Sequence, residues 1–201
     1  MVVAATILDH SLRRRDNRRT ELLDAAAHNF RLRGYAAASM RKIASDARMK
    51  AGSMYYYFPS KVDLLIAVHE RGVKRIRNAV ETAIEVYSNP WERLEAAMVA
   101  HLQVLLDGGD YAPVVICELP LHENSIRDRL LPLRDEYEEY FAELFDDLPI
   151  AEGISRRYMR LLVLGALNWT QTWFDPAGDS PAQIASVFLN MLKPLGNKLE
   201  S

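Results

Sequence analysis

Apolar residues recur at steps of three and four along most of this 201-residue chain, a spacing that predicts helices. Leu22, Leu23, Ala26, Ala27 and Phe30 trace a first helical face, running from about residue 18 to the helix-ending Gly34. Met40, Ile43, Ala44 and Ala47 form a shorter stripe whose start Ser39 can cap. A turn, Arg48-Met49-Lys50, leads into a second short helix from Ala51 to Tyr57, with Met54 and the following Phe58 as core positions. Ser60-Lys61-Val62-Asp63 has the form of a capping box, opening a long fourth helix through Leu64, Leu65, Val68, Val73, Ile76 and Val80. Carried to about Tyr87, that helix spans roughly 40 Å at its rise per residue.

Beyond a break at Asn89-Pro90 the pattern predicts five more helices. The fifth runs from Pro90 to about Leu106, and D-G-G-D-Y-A-P, residues 107–113, reads as a loop. The sixth, residues 114–122, is almost wholly apolar around Cys117 and Glu118. Residues 125–147 form the seventh, with Leu130, Leu133, Tyr137, Tyr140, Phe141, Leu144 and Phe145 on its apolar side. Residues 155–174 and 181–193 complete the set. The expected fold is therefore all-α, with about nine helices. Its parts are a flexible basic arm over 1–17, a three-helix helix-turn-helix unit over 18–62, and a helical bundle over 63–201.

A helix about 10 to 12 Å across fits the major groove of DNA, so the unit around residues 39–61 suits nucleic acid. The run I-A-x-x-A-x-M-x-x-G-S-M-Y-Y-Y-F-P-S-K-x-D-L-L, from Ile43 to Leu65, resembles the DNA-binding signature of the tetracycline-repressor (TetR) family. That resemblance implies a transcriptional regulator of double-stranded operator DNA. Direct base reading is expected of Arg41, Lys50, Ser53 and Tyr57, with Ala51 on the same surface but offering little hydrogen bonding. Ser39, Tyr55, Tyr56 and Lys61 match the family's phosphate contacts. The turn departs from the family pattern: Arg48 stands where a glycine is usual, at a cost on the order of 1 kcal/mol if the backbone is left-handed there. Lys50 stands where a Ser or Thr commonly caps the recognition helix.

Charge sharpens this picture. Residues 1–60 hold 11 Lys+Arg against 5 Asp+Glu, a net of +6, and residues 61–201 hold 14 against 22, a net of −8. A basic head on an acidic body is the footprint of a module that meets phosphates at one end. Arg13, Arg14 and Arg15 in the arm can add phosphate or minor-groove contacts. The single Cys117 excludes an intramolecular disulfide, and neither a signal peptide nor an 18-residue apolar run is seen, so a cytoplasmic protein without a membrane partner is expected. There is no H-E-x-x-H, no Gly-rich phosphate loop and no G-x-S-x-G, so no enzyme, cofactor or metal is expected. Glu136, Glu138, Glu139 and Glu143 lack the Glu-x-x-His partners of a carboxylate-metal bundle and read as a solvated face.

For the body, the family resemblance implies a homodimer through the last two helices, and Leu161, Leu164, Gly165, Val187, Phe188 and Met191 are the interface candidates. Two-fold symmetry then demands a palindromic operator. The stretch L-N-W-T-x-x-W-F-x-P-x-G, from Leu167 to Gly178, is similar to the C-terminal end of a TetR branch that includes regulators of lipid and sterol catabolism, some responsive to acyl-CoA. A small-molecule effector with a hydrophobic body is expected near Trp91, His101, Cys117, Glu118, Tyr137 and Asn168. Arg71, Lys74, Arg75 and Arg77 are either a solvated face or a site for an anionic tail. The rival reading is an architectural or adaptor protein without an effector, which a fully packed body would favour.

Overall fold

A chain with this spacing of apolar residues can bury them only by packing helix against helix, and the computed structural model does so with nine α-helices among its described residues. It describes residues 2–116 and 124–193, with side chains from Arg15 onward. Helix α1 (Val2–Ala37) is interrupted at Gly34, whose φ of 72° only glycine adopts freely. The backbone of residues 2–17 is helical, where irregular structure was expected. The cause is compositional: no glycine or proline separates this stretch from the amphipathic turns that follow, and it is rich in Ala, Leu and Arg.

Helices α2 (Met40–Asp46) and α3 (Ala51–Tyr57) cross at the turn. Ser39 caps α2 by accepting from the Lys42 N–H at 3.2 Å. Buried Asn29 ties α1 to α2, donating to the Ala25 carbonyl at 2.8 Å and to Asp46 at 2.9 Å. Ser60 caps α4 (Lys61–Ile84), accepting from the Asp63 N–H. This helix ends three residues before Tyr87 and is about 36 Å long at 1.5 Å per residue.

Asn89 caps α5 (Pro90–Leu106), with Pro90 in the first turn where its missing N–H costs nothing. Helix α6 (Tyr111–Ile116) begins inside the stretch expected to be a loop, because Pro113 falls in its first turn and so breaks no ladder bond. The expected continuation of this helix to residue 122 lies outside the described residues, with Cys117 and Glu118. Helix α7 (Asn124–Asp146) precedes α8 (Arg156–Trp169), a single 3-10 turn at Thr170–Thr172, and α9 (Pro181–Leu192). The eighth helix is shorter than expected: the Thr170 hydroxyl bonds back to the Ala166 carbonyl at 2.9 Å and Thr172 to Trp169 at 2.8 Å, which tightens its end. Ser180 and Gln183 form a reciprocal capping box on α9.

Two cores result. One, beneath the helix-turn-helix, joins Leu22, Phe30, Ile43, Met54, Phe58 and Leu65 to Tyr111, Val114, Ile126 and Leu130 from α6 and α7. The other fills the body around Met98, Leu102, Phe141, Phe145, Leu167 and Leu189. Helix α4 lines both, from Leu64–Val68 in the first to Ile76–Ile84 in the second.

Candidate functional site

The turn between α2 and α3 is the most locally determined part of the head. Met49 N–H bonds to the Ala44 carbonyl at 2.8 Å, which closes the turn around a half-buried Met49. Arg48 takes φ 54°, the left-handed conformation that a glycine would adopt without strain. Lys50 stands at the α3 N-cap and makes no side-chain cap, so α3 starts with its amide hydrogens and one cation facing outward. Ser39, Arg41, Lys50, Ser53, Tyr55 and Tyr56 are exposed, and Ala51 and Tyr57 half-exposed. Arg41 and Lys50 have no partner among the described residues. Tyr56, 70% exposed, meets Tyr57 edge-on at 5.5 Å and carries the Arg15 guanidinium over its ring at 5.5 Å. Arg15, within α1, thus stands beside the C-terminal end of α3. A convex surface of hydroxyls and cations on a short helix matches what a DNA groove accepts.

Lys61, expected to meet a phosphate, has its ammonium engaged within the head. Its ammonium donates to the carbonyls of Tyr35 at 2.9 Å, Ala36 at 3.2 Å and Ala38 at 3.1 Å, and lies 4.4 Å from the Tyr35 ring centroid. An ammonium has three N–H donors, and here all three meet the carbonyls left unpaired where α1 ends. Lys61 therefore locks the first helix to the start of the fourth.

The second candidate site is a cavity of about 500 Å³ in the body, bounded by α4, α5, α6, α7, α8 and the 3-10 turn. Its apolar wall includes Val73, Ile76, Val115, Leu130 and Leu164. On one side His101, 1% exposed, contacts the Tyr137 hydroxyl through Nδ1 at 2.8 Å and Asn168 Oδ1 through Nε2 at 3.1 Å. With Oδ1 facing it, Nε2 carries the ring proton and Nδ1 accepts from the phenol. Burial lowers the His101 pKa to about 4 and raises that of Tyr137, so both are neutral near pH 7. Arg134, half-exposed, and Glu138 stand in the wall 3.4 Å apart.

Of the effector residues expected from sequence, the cavity joins His101, Tyr137 and Asn168. Trp91 packs against the body core elsewhere, since the first turn of α5 lies away from the α4–α8 wall. His69 and Arg134 were missed. His69 directly follows the unbroken apolar run Leu64–Val68, where its position looks like plain core.

The basic run on α4 is mostly engaged: Arg75 with Asp107 at 2.6 Å, Arg77 with Glu81 at 2.7 Å and also with Glu136, and Arg71 with Thr20 at 3.2 Å. Of the dimer candidates, Leu161, Gly165, Val187 and Met191 are exposed. Leu164 is buried and lines the cavity, because the 100° step between residues turns it inward, and Phe188 packs partly on the core. Tyr158, Leu162 and Trp169, the last 68% exposed, extend the exposed stripe on α8 at helical spacing.

Comparison with known proteins places these features in context. Residues 22–68 match the model for bacterial regulatory proteins of the tetR family, and residues 87–194 match the tetracyclin repressor-like C-terminal domain. The fatty acid metabolism regulator protein of Bacillus subtilis (strain 168) is 25% identical over 187 residues, covering 89% of this chain and 95% of that protein. The transcriptional repressor KstR2 of Mycobacterium tuberculosis is 25% identical over 177 residues, 84% of this chain and 86% of the relative. Among solved structures, AibR in complex with isovaleryl coenzyme A and operator DNA superposes with a TM-score of 0.75 at 25% identity, covering 89% of this chain and 99% of that one.

Proposed function

This chain belongs to the tetracycline-repressor (TetR) family of transcriptional regulators, and from that premise we propose that it is a homodimeric repressor released from a palindromic operator by a small hydrophobic effector. The observation that carries the reading is the cavity of about 500 Å³ built against α4, the helix that begins at Lys61 under the DNA-facing head. Relatives named for fatty acid metabolism and a neighbour solved with a CoA thioester support an acyl-CoA, or a lipid or aromatic acid, as the effector. The open volume disfavours an adaptor without a ligand, for which a filled body would be expected.

The exposed apolar stripe Tyr158, Leu161, Leu162, Gly165 and Trp169 on α8, with Val187 and Met191 on α9, supports pairing of two copies. A ligand moves the equilibrium only by preferring one form, and a preference of about 100-fold for the DNA-free form contributes roughly 2.7 kcal/mol against operator binding. The test is fluorescence anisotropy of a labelled operator during titration with acyl-CoAs and free fatty or aromatic acids. Release by one of these, with an equal weakening of that ligand by operator DNA, is expected. A ligand bound equally well with and without operator overturns the switch.

A further inference from the structure

Helix α1 carries three arginines that the fold leaves uncommitted. Arg15, Arg18 and Arg19 are exposed and stand at i, i+3 and i+4, so they share an arc of about 100° on one side of the helix. None of them forms an ion pair or a hydrogen bond with another of the described residues. Like charges at these spacings repel and weaken an exposed helix. An anion laid along the row removes that repulsion.

Aromatic rings at the end of α3 hold the row in place. The Arg15 guanidinium lies 5.5 Å from the Tyr56 ring centroid, and that of Arg19 lies 5.4 Å from the Phe58 ring centroid. Phe58 is buried in the head core, and Tyr56 is braced edge-on by Tyr57, which packs against the same core. The row is thereby fixed beside the C-terminal end of the recognition helix. A guanidinium stacked on a ring spends its face and keeps the N–H donors along its edge, which can grip a phosphate two at a time. From Arg15 to Arg19 the helix axis rises about 6 Å at its rise per residue. A duplex carries one phosphate per roughly 3.4 Å of axis on each strand, so the row faces about two phosphates.

We propose that Arg15, Arg18 and Arg19 form a clamp on the DNA backbone beside the groove that α3 is shaped to enter, and that the Tyr56 ring is the positioning residue that holds Arg15 in it. The clamp builds on the DNA-binding head and asks nothing of the body or its ligand. Because it is directed at phosphates, it adds affinity for every sequence and no preference among them.

That indifference to sequence allows a test without knowledge of the operator. The full-length protein is titrated onto a short fluorescein-labelled duplex of arbitrary sequence, and anisotropy is read across a salt series of about 50 to 200 mM. Arg15→Ala should weaken binding on the order of tenfold near about 0.1 M salt and flatten the log–log salt slope by about 0.9 for each head in contact. Arg15→Lys, which keeps a charge that a ring can hold, should retain the slope. Tyr56→Leu should flatten the slope and Tyr56→Phe should leave it unchanged, which separates the ring from its hydroxyl. The double variant Arg15→Ala/Tyr56→Leu should match Arg15→Ala alone, since the ring acts through the arginine. Circular dichroism melts of all variants should coincide with the parent, because both side chains are exposed. A parent protein that binds no duplex overturns the inference together with the DNA-binding role of the head. A parent that binds, with Arg15→Ala equal to it in affinity and slope, overturns the clamp alone. Additive losses in the double variant, or a slope untouched by Tyr56→Leu, overturn the role given to the ring.

Discussion

The head and the body of this molecule face their ligands in opposite ways. The head offers a convex, wet surface of hydroxyls, aromatic rings and cations. The body offers a concave, largely apolar chamber whose lining is drawn from residues as far apart in sequence as His69 and Asn168. The turn of the head is set by residues close in sequence, whereas the chamber exists only after five helices have packed, α5 among them through His101.

Acidification should break the contrast most strongly, because it acts on the buried rings of the body. His69 and His101 have pKa values lowered from 6.5 to about 4, so below pH 6.5 the unfolded chain takes up protons that the folded chain refuses. Stability should fall as pH drops toward 4, each ring contributing about 1.4 kcal/mol per pH unit. Asp46 and Asp63, held below the usual carboxylate range by hydrogen bonds from Lys42 and Ser60 first, keep their contribution through that window and lose it only at lower pH. Urea melts between pH 7 and 4.5 check this; a flat profile would mean that the rings are not buried neutral.

Gly165→Glu probes the dimer surface, and because a Cβ at Gly165 meets nothing within 4 Å the backbone has room for it; Gly165 also borders the cavity, so ligand binding is measured beside the oligomeric state. The variant should melt like the parent, run as a monomer by light scattering at micromolar concentration, and bind operator on the order of 100-fold more weakly, as expected for an unpaired charge placed in an interface. Lys61→Ala separates locking from phosphate contact. Three carbonyls lose their donor, so stability should drop by about 1–3 kcal/mol. The slope of log affinity against log salt should stay unchanged, while Lys50→Ala flattens it by about 0.9. The smallest effect is expected of Arg48→Gly, which relieves the left-handed backbone at the expense of a more flexible unfolded chain and should gain about 0.5 kcal/mol.

Most of the head was legible in advance because its determinants are local. The Ser39 and Ser60 caps, the turn at Arg48-Met49-Lys50 and the core roles of Met54 and Phe58 each follow from residues within a turn or two. The intramolecular bonds of Lys61 were not legible in the same way, since its three partners lie 23 to 26 residues back, where α1 ends. In the body, His101, Tyr137 and Asn168 stood out as polar residues in apolar runs. His69 did not, because nothing in the run Leu64–Val68 tells that one side of α4 would face open space. Leu164 was counted among the interface candidates of the last two helices, although the 100° step between residues turns it inward.

One feature of the packing also bears on whether such heads and bodies are interchangeable parts. The core under the helix-turn-helix is closed by Tyr111, Val114, Ile126 and Leu130, all from beyond α5. Its rim is stitched by Arg31 to Asp110 at 2.5 Å, Tyr111 to Asp24 at 2.6 Å and Arg129 to Asp63 at 2.8 Å. A biosensor chimera cut at the end of the helix-turn-helix would bring a head without its floor. A graft that carries the matching face of α6 and the first turns of α7 would keep the head seated, so the workable seam follows side-chain contacts across the chain and not a single point along it.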